Sequence, residues 1–184
     1  MPLSPPAARK ELHLRQVEVR GYQREDGLWD IEGRLVDTKT YGFDNFDRGR
    51  IEAGQPVHQM LLRLTLDDEM LIVDAEAVTE ESPYNVCKAV GPNFARLKGI
   101  RIGAGWRRQV QAAVGGAEGC THLVELLGPM ATTAYQTIWP VVARKREAAG
   151  ETWKSKPKTI DTCHAYASDG PVVKRLWPEF YTGR

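Results

Sequence analysis

The chain has 184 residues, a length at which one domain can bury a sizeable core without disulfides or a structural metal. With 42% hydrophobic and 27% charged residues it reads as a globular protein rather than a disordered or fibrous one. Twenty-five Lys and Arg against twenty-four Asp and Glu leave a formal charge of +1, which argues against a general attraction to nucleic acid or anionic lipid.

Residues 1–12 read as an irregular lead-in, because Pro2, Pro5 and Pro6 withhold backbone donors. No apolar core of a signal peptide stands there, and no apolar run approaches the ~20 residues of a membrane span. Residues 14–23 suit a strand. Glu25, Asp26 and Gly27 then make a turn before residues 28–37 run back, a hairpin signal. Residues 41–56, rich in Gly, Asp and Asn, read as a long loop of the kind that often serves function. Two further strands, 57–66 and 71–79, flank Asp67, Asp68 and Glu69, a second hairpin signal.

After Ser82 and Pro83 the spacing becomes helical. Residues 84–97 read as a helix carrying Val86, Val90, Phe94 and Leu97 at helical intervals, which Gly91 and Pro92 can split. Residues 106–114 form a short amphipathic helix closed by Gly115 and Gly116, and residues 121–146 form the longest, with kinks expected at Gly128-Pro129 and Pro140. Residues 150–184 read as a polar linker and a tail that docks through Trp177, Phe180 and Tyr181. The basic stretch from Arg144 to Lys158 has one interleaved aromatic, Trp153, and reads as a solvated linker rather than a phosphate-binding patch. Strands first and helices after define the α+β class: a four-stranded antiparallel meander, three helices packed on one face, and an irregular C-terminal tail, all in a single domain over residues 1–184.

Three cysteines, Cys87, Cys120 and Cys163, form no short paired spacing, so neither a disulfide framework nor a zinc knuckle is expected, and a reducing, cytoplasmic compartment fits. The most informative segment runs from Gly119 to Glu125. Leu123, Leu127, Met130, Ala134 and Ile138 share the core face of its helix, while His122, Glu125, Pro129, Thr133 and Gln136 collect opposite. That polar face carries no Lys or Arg, as a pocket lining would; the competing reading is an exposed face with Thr121 as helix cap and Glu125 favoured by the helix dipole.

One turn apart, His122 and Glu125 can act as a base with its orienting carboxylate, and His58 can join them as a second acid or as the third ligand of a metal. Cys120, just ahead of the helix, is a candidate nucleophile, against the alternative of a small buried Cys. On the sheet, alternation groups Asp30 with Glu32 and Arg34, Gln59 with Arg63, and Asp74 with Glu76. These make either a water-facing side with cross-strand charge pairs or a binding surface in which Arg63 grips a substrate carboxylate.

The strings Gly21-Tyr22, Leu28-Trp29-Asp30-Ile31-Glu32-Gly33, Pro56-Val57-His58, Gly119-Cys120-Thr121-His122-Leu123 and Thr162-Cys163-His164-Ala165 together resemble the bacterial family called domain of unknown function 2889. The resemblance implies no assigned reaction, but it links the chain to accessory genes of bacterial aromatic-compound and acyl-CoA catabolism. The reading is therefore an enzyme using general acid/base chemistry on a small, aromatic substrate in a lyase or retro-aldol type step. His122 is the base, Glu125 its orienter, His58 a second acid, Arg63 or Tyr84 the stabiliser of negative charge and Cys120 a further catalytic candidate. Asp30, Glu32, Asp74 and Gln136 are candidates for binding substrate. No cofactor is expected, a divalent cation on His58, His122 and Glu125 being the alternative. The partner is a small molecule, not nucleic acid or membrane, with assembly into a homo-oligomer left open. The rival function is a non-catalytic ligand-binding or accessory subunit of a catabolic pathway.

Overall fold

A computed structural model describes residues 3–150, 156–157 and 159–183. Residues 151–155 and 158 of the expected linker, Trp153 among them, lie outside the described residues. The chain divides into two compact units, Met1–Val142 and Ala143–Arg184.

The first unit opens with two long antiparallel strands, β1 (His13–Gln23) and β2 (Trp29–Lys39). Gly27 has φ +87°, which only glycine adopts without strain, and it closes the turn between them. The expected loop over residues 41–56 folds instead into a small hairpin, β3 (Phe43–Asn45) and β4 (Gly49–Ile51). Its turn is local chemistry: the Asn45 side-chain oxygen accepts from the backbone N–H groups of Asp47 and Arg48 at 3.1 and 3.0 Å. Strands β5 (Pro56–Leu66) and β6 (Ile72–Glu81) complete the main sheet in the order β1-β2-β5-β6, antiparallel throughout. This is the meander that the two hairpin signals predict.

Period two sorts the sheet into two faces. On one lie Trp29, Ile31, Gly33 and Leu35 of β2 and Met60, Leu62, Leu64 and Leu66 of β5, nearly all of them fully buried. Helices cover that face. The segment Asn85–Leu97 is a 3-10 helix rather than the α-helix its apolar spacing suggests. Pro92 removes a donor, and Gly91 sits so close to β6 that an added Cβ would fall 2.6 Å from the Ala77 carbonyl oxygen. Helix α1 (Trp106–Val114) has the predicted bounds, and α2 (Thr121–Ala148) carries Pro129 and Pro140 without ending. Helix α2 runs close over the sheet: Met130 and Leu126 lie against Gly33, and Thr137 lies against Gly21. Both glycines are needed there, since a Cβ on Gly33 would come within 2.8 Å of the Met130 sulfur.

The second unit contains a turn of 3-10 helix (His164–Tyr166), the short helix α3 (Pro171–Leu176) and a second 3-10 turn (Pro178–Phe180). Its irregular backbone is tied by Asp161, whose carboxylate accepts the Ser168 N–H at 2.8 Å, and by Tyr166 and Trp177, whose rings meet at 5.7 Å. No described helix is long and apolar enough to cross a membrane.

Candidate functional site

The inward parity of β2 does not end with Leu35. Its next member is Asp37, a carboxylate wholly removed from solvent. The neighbouring strands put Arg15 of β1 and His58 of β5 directly opposite it, so Arg15, Asp37 and His58 form one polar rung at the end of the apolar face. The pairing shifts register immediately after this rung, between Asp37 and Thr38.

Helix α2 brings the remaining members. Gly119 is pressed beneath the preceding helix, where a Cβ would fall 1.8 Å from the Val114 carbonyl oxygen, and this fixes the entry into α2. The Cys120 carbonyl accepts the first helical bond from the Val124 N–H at 2.9 Å, so Cys120 rather than Thr121 takes the capping place. His122 and Glu125 then project from the first turn over the polar rung.

A buried carboxylate is stable only when its lone pairs are filled, and those of Asp37 are. Arg15 donates from Nε to Oδ1 and from Nη2 to Oδ2, both at 2.8 Å. His13 Nε2 donates to Oδ1 at 3.1 Å and His58 Nδ1 to Oδ2 at 3.0 Å. The His122 Nε2 stands 3.6 Å from the same Oδ2, too far for a hydrogen bond. The third arm of Arg15 reaches Glu125, tying β1 to α2. The rings of His58 and His122 stack with centroids 3.7 Å apart, and His122 Nδ1 faces the Cys120 sulfur at 3.8 Å.

The electrostatics follow from these contacts. Burial by itself would raise the Asp37 carboxyl, but the hydrogen bonds and charge of Arg15, aided by His58 and His13, outweigh it and bring the pKa down to about 2. Burial pushes His58 below the ordinary imidazole value, and the stacked His122 adds to this against the pull of Asp37. Burial lowers His122 too, with the Arg15 charge acting in the same direction. At neutral pH the cluster thus holds one fixed anion and two uncharged imidazoles.

Of the residues expected from sequence, His58, His122, Glu125 and Cys120 converge here. Glu125 pairs with Arg15, so the carboxylate that faces both rings is Asp37. Arg63 lies on the opposite side of the sheet, between Glu32 and Glu76, and Thr65 of the same side donates to Asp30 at 2.7 Å. Arg63 thus pairs with Glu32 and Glu76, Asp30 pairs with Arg24 and Thr65, and Asp74 stands opposite Thr65, all on the side of the sheet away from the cluster. Tyr84 is exposed ahead of the 3-10 segment, and Gln136 lies fourteen residues along α2 from His122, about 21 Å at the helical rise. Asp37, Arg15 and His13 are the members that sequence reasoning missed. A shallow opening of about 440 Å³ beside the Arg15 end, lined also by Gln16, Val17, Glu18 and Arg34, does not reach the histidines.

A family model described as Protein of unknown function (DUF2889) matches residues 13–136, the stretch that contains every member of the cluster. No curated protein and no solved structure matches the chain.

Proposed function

Matched over more than half its length, the chain belongs to this family, and we propose that it is an enzyme whose acid/base centre is the cluster of Asp37, His58 and His122. One observation carries the reading: two uncharged imidazoles, stacked at 3.7 Å, turn ring nitrogens towards one oxygen of a buried, ionised carboxylate. Desolvating three titratable groups at one spot works against folding, and a fold meant only to be stable would fill that rung with apolar side chains. Uncharged imidazoles offer lone pairs that take a proton directly or through a water they hold. Asp37, ionised at every physiological pH, orients the His58 ring through its hydrogen bond and stabilises positive charge that arises on either ring.

The reaction class is a lyase step of retro-aldol type on a small, aromatic substrate. Such a cleavage needs few parts. The cluster removes the proton of a hydroxyl group, the adjacent carbon–carbon bond breaks as a carbonyl forms, and a proton returned to the leaving carbon completes the exchange. Neither an oxidant nor an organic cofactor enters that balance. The aromatic preference rests on the family association alone.

The test is turnover of small β-hydroxy aromatic compounds by the purified chain and by His58→Ala and His122→Ala. Each substitution should lower kcat about 10²- to 10⁴-fold with far smaller effects on thermal stability. Full activity in both variants overturns the assignment of the centre, and substrate binding without turnover in the parent chain leaves a ligand-binding module.

A further inference from the structure

We infer that Asp37 Oδ2, His58 Nδ1 and His122 Nε2 are the ligands of a first-row divalent cation bound at the end of the sheet. This rests on reading the cluster as the reacting centre, and it gives the proton acceptor there a chemical identity: a water on the cation. The three atoms lie within 4.8 Å of one another. A tetrahedral ion with nitrogen and oxygen ligands at about 2.0–2.1 Å sets its donors about 3.3–3.4 Å apart. Two of the three edges, 3.0 Å from His58 and 3.6 Å from His122 to Asp37 Oδ2, bracket that spacing.

The bonding pattern around the three atoms points the same way. Asp37 Oδ2 already accepts from Arg15 and from His58, so its lone pairs are filled and none is left for His122 Nε2. That nitrogen nevertheless faces the cluster. His122 can keep its proton on Nδ1, directed at the Cys120 sulfur, which leaves the Nε2 lone pair aimed at the carboxylate oxygen. For His58 a cation would replace the Nδ1 proton, which moves to Nε2, so the ring enters as a neutral ligand with no proton lost. Behind the donors stands the outer shell that metal-ligating carboxylates usually have: His13 and Arg15 Nε hold the other oxygen, Oδ1, at 3.1 and 2.8 Å.

Charge also permits the ion. Asp37 and Glu125 against Arg15 leave the immediate surroundings with one net negative charge, although Arg15 Nη2 stands on the same Asp37 Oδ2 at 2.8 Å. Three protein donors leave at least one coordination position for water or substrate, as catalytic rather than structural sites do. Two imidazoles and one carboxylate suit zinc or another borderline divalent ion, and poorly suit calcium or magnesium. On such an ion a bound water loses its proton near neutrality and a carbonyl or alkoxide oxygen is stabilised, without electron transfer.

The experiment uses the full chain stripped with chelator and titrated with Co(II), followed by its visible d–d absorption and by calorimetry, then with Zn(II) in competition. The expected result is one equivalent bound in a four- or five-coordinate environment and displaced by Zn(II). His122→Ala, whose ring is partly exposed, should weaken Co(II) binding by more than ~100-fold, and His13→Ala, in the outer shell, by about 10- to 100-fold. Asp37→Asn is a second ligand test, expected to weaken Co(II) binding like His122→Ala, with loss of folding monitored separately by circular dichroism. Absence of stoichiometric binding, or undiminished affinity in His122→Ala, overturns the site. The two readings fail differently. Co(II) bound without turnover keeps the site and sinks the enzyme, whereas turnover by chelator-stripped protein that binds no Co(II) sinks the site and keeps the enzyme.

Discussion

Replacing Asp37 by Asn keeps the shape of the side chain and removes the charge on which Arg15, His13 and His58 converge. The carboxyl is held at about 2 against an ordinary 3.8, and this depression corresponds to roughly 2–3 kcal/mol of stability. Because the folded-state pKa is the lower one, the contribution is complete above about 3.8 and disappears as the pH falls through about 2. Asp37→Asn should therefore be about 2–3 kcal/mol less stable at neutral pH, a loss of roughly 5–10 °C in Tm for a chain of this length. About half of the difference should be gone near pH 3. Urea unfolding of both proteins in chelator, from neutral pH down to the acid limit of the fold, measures the gap directly. A gap that stays constant with pH, or a variant as stable as its parent at pH 7, would refute the view that the Asp37 charge is stabilised by this cluster.

Two further outcomes test the packing and the thiols. In Gly21→Ala the new Cβ would lie 2.0 Å from Thr137 Oγ1, so the substitution should destabilise by about 1–3 kcal/mol, and Thr137→Ala added to it should recover part of the loss; equilibrium unfolding of the two single variants and the double gives the coupling. Cys87, Cys120 and Cys163 are all free, so thiol titration of denatured, unreduced protein should find three groups, and a count of one would contradict the structure.

The strands were legible because their signals are local. Turn residues at 25–27 and 67–69 and two-residue alternation place four strands to within two residues at each end and dictate antiparallel pairing. One element was misread and one helix is wound more tightly than its spacing suggests, each for an identifiable reason. The β3–β4 hairpin has strands of three residues, too short to show alternation, and its Asn45 turn looks in sequence like any polar loop. The segment at 85–97 has helical spacing, but the contact of Gly91 with the Ala77 carbonyl is tertiary and no one-dimensional pattern records it.

At the site, His58 and His122 could be singled out by residue type and by the helix face. The convergence of their rings depends on strand register. Asp37 carried a signal that went unused: counting by two from Trp29 through Ile31, Gly33 and Leu35 arrives at it, so a charged residue stood at an inward position. Arg15 and His13 share that parity on β1, but β1 is exposed along nearly its whole length and offers no apolar alternation to mark an inward face.

The register of β2 against β5 gives the molecule a form of quality control. Leu35 and Met60 pair on the same face as Asp37 and His58, so a single reading frame of strand pairing governs both sets. Sliding β5 by one residue would turn its leucines to water and in the same movement withdraw His58 from Asp37. A misregistered chain thus betrays itself by its exposed apolar surface, and a chain that has passed this thermodynamic inspection has its polar rung assembled. Length changes in the 40–55 connection leave that frame intact, whereas a one-residue deletion inside β2 or β5 would erase the core and the chemistry together.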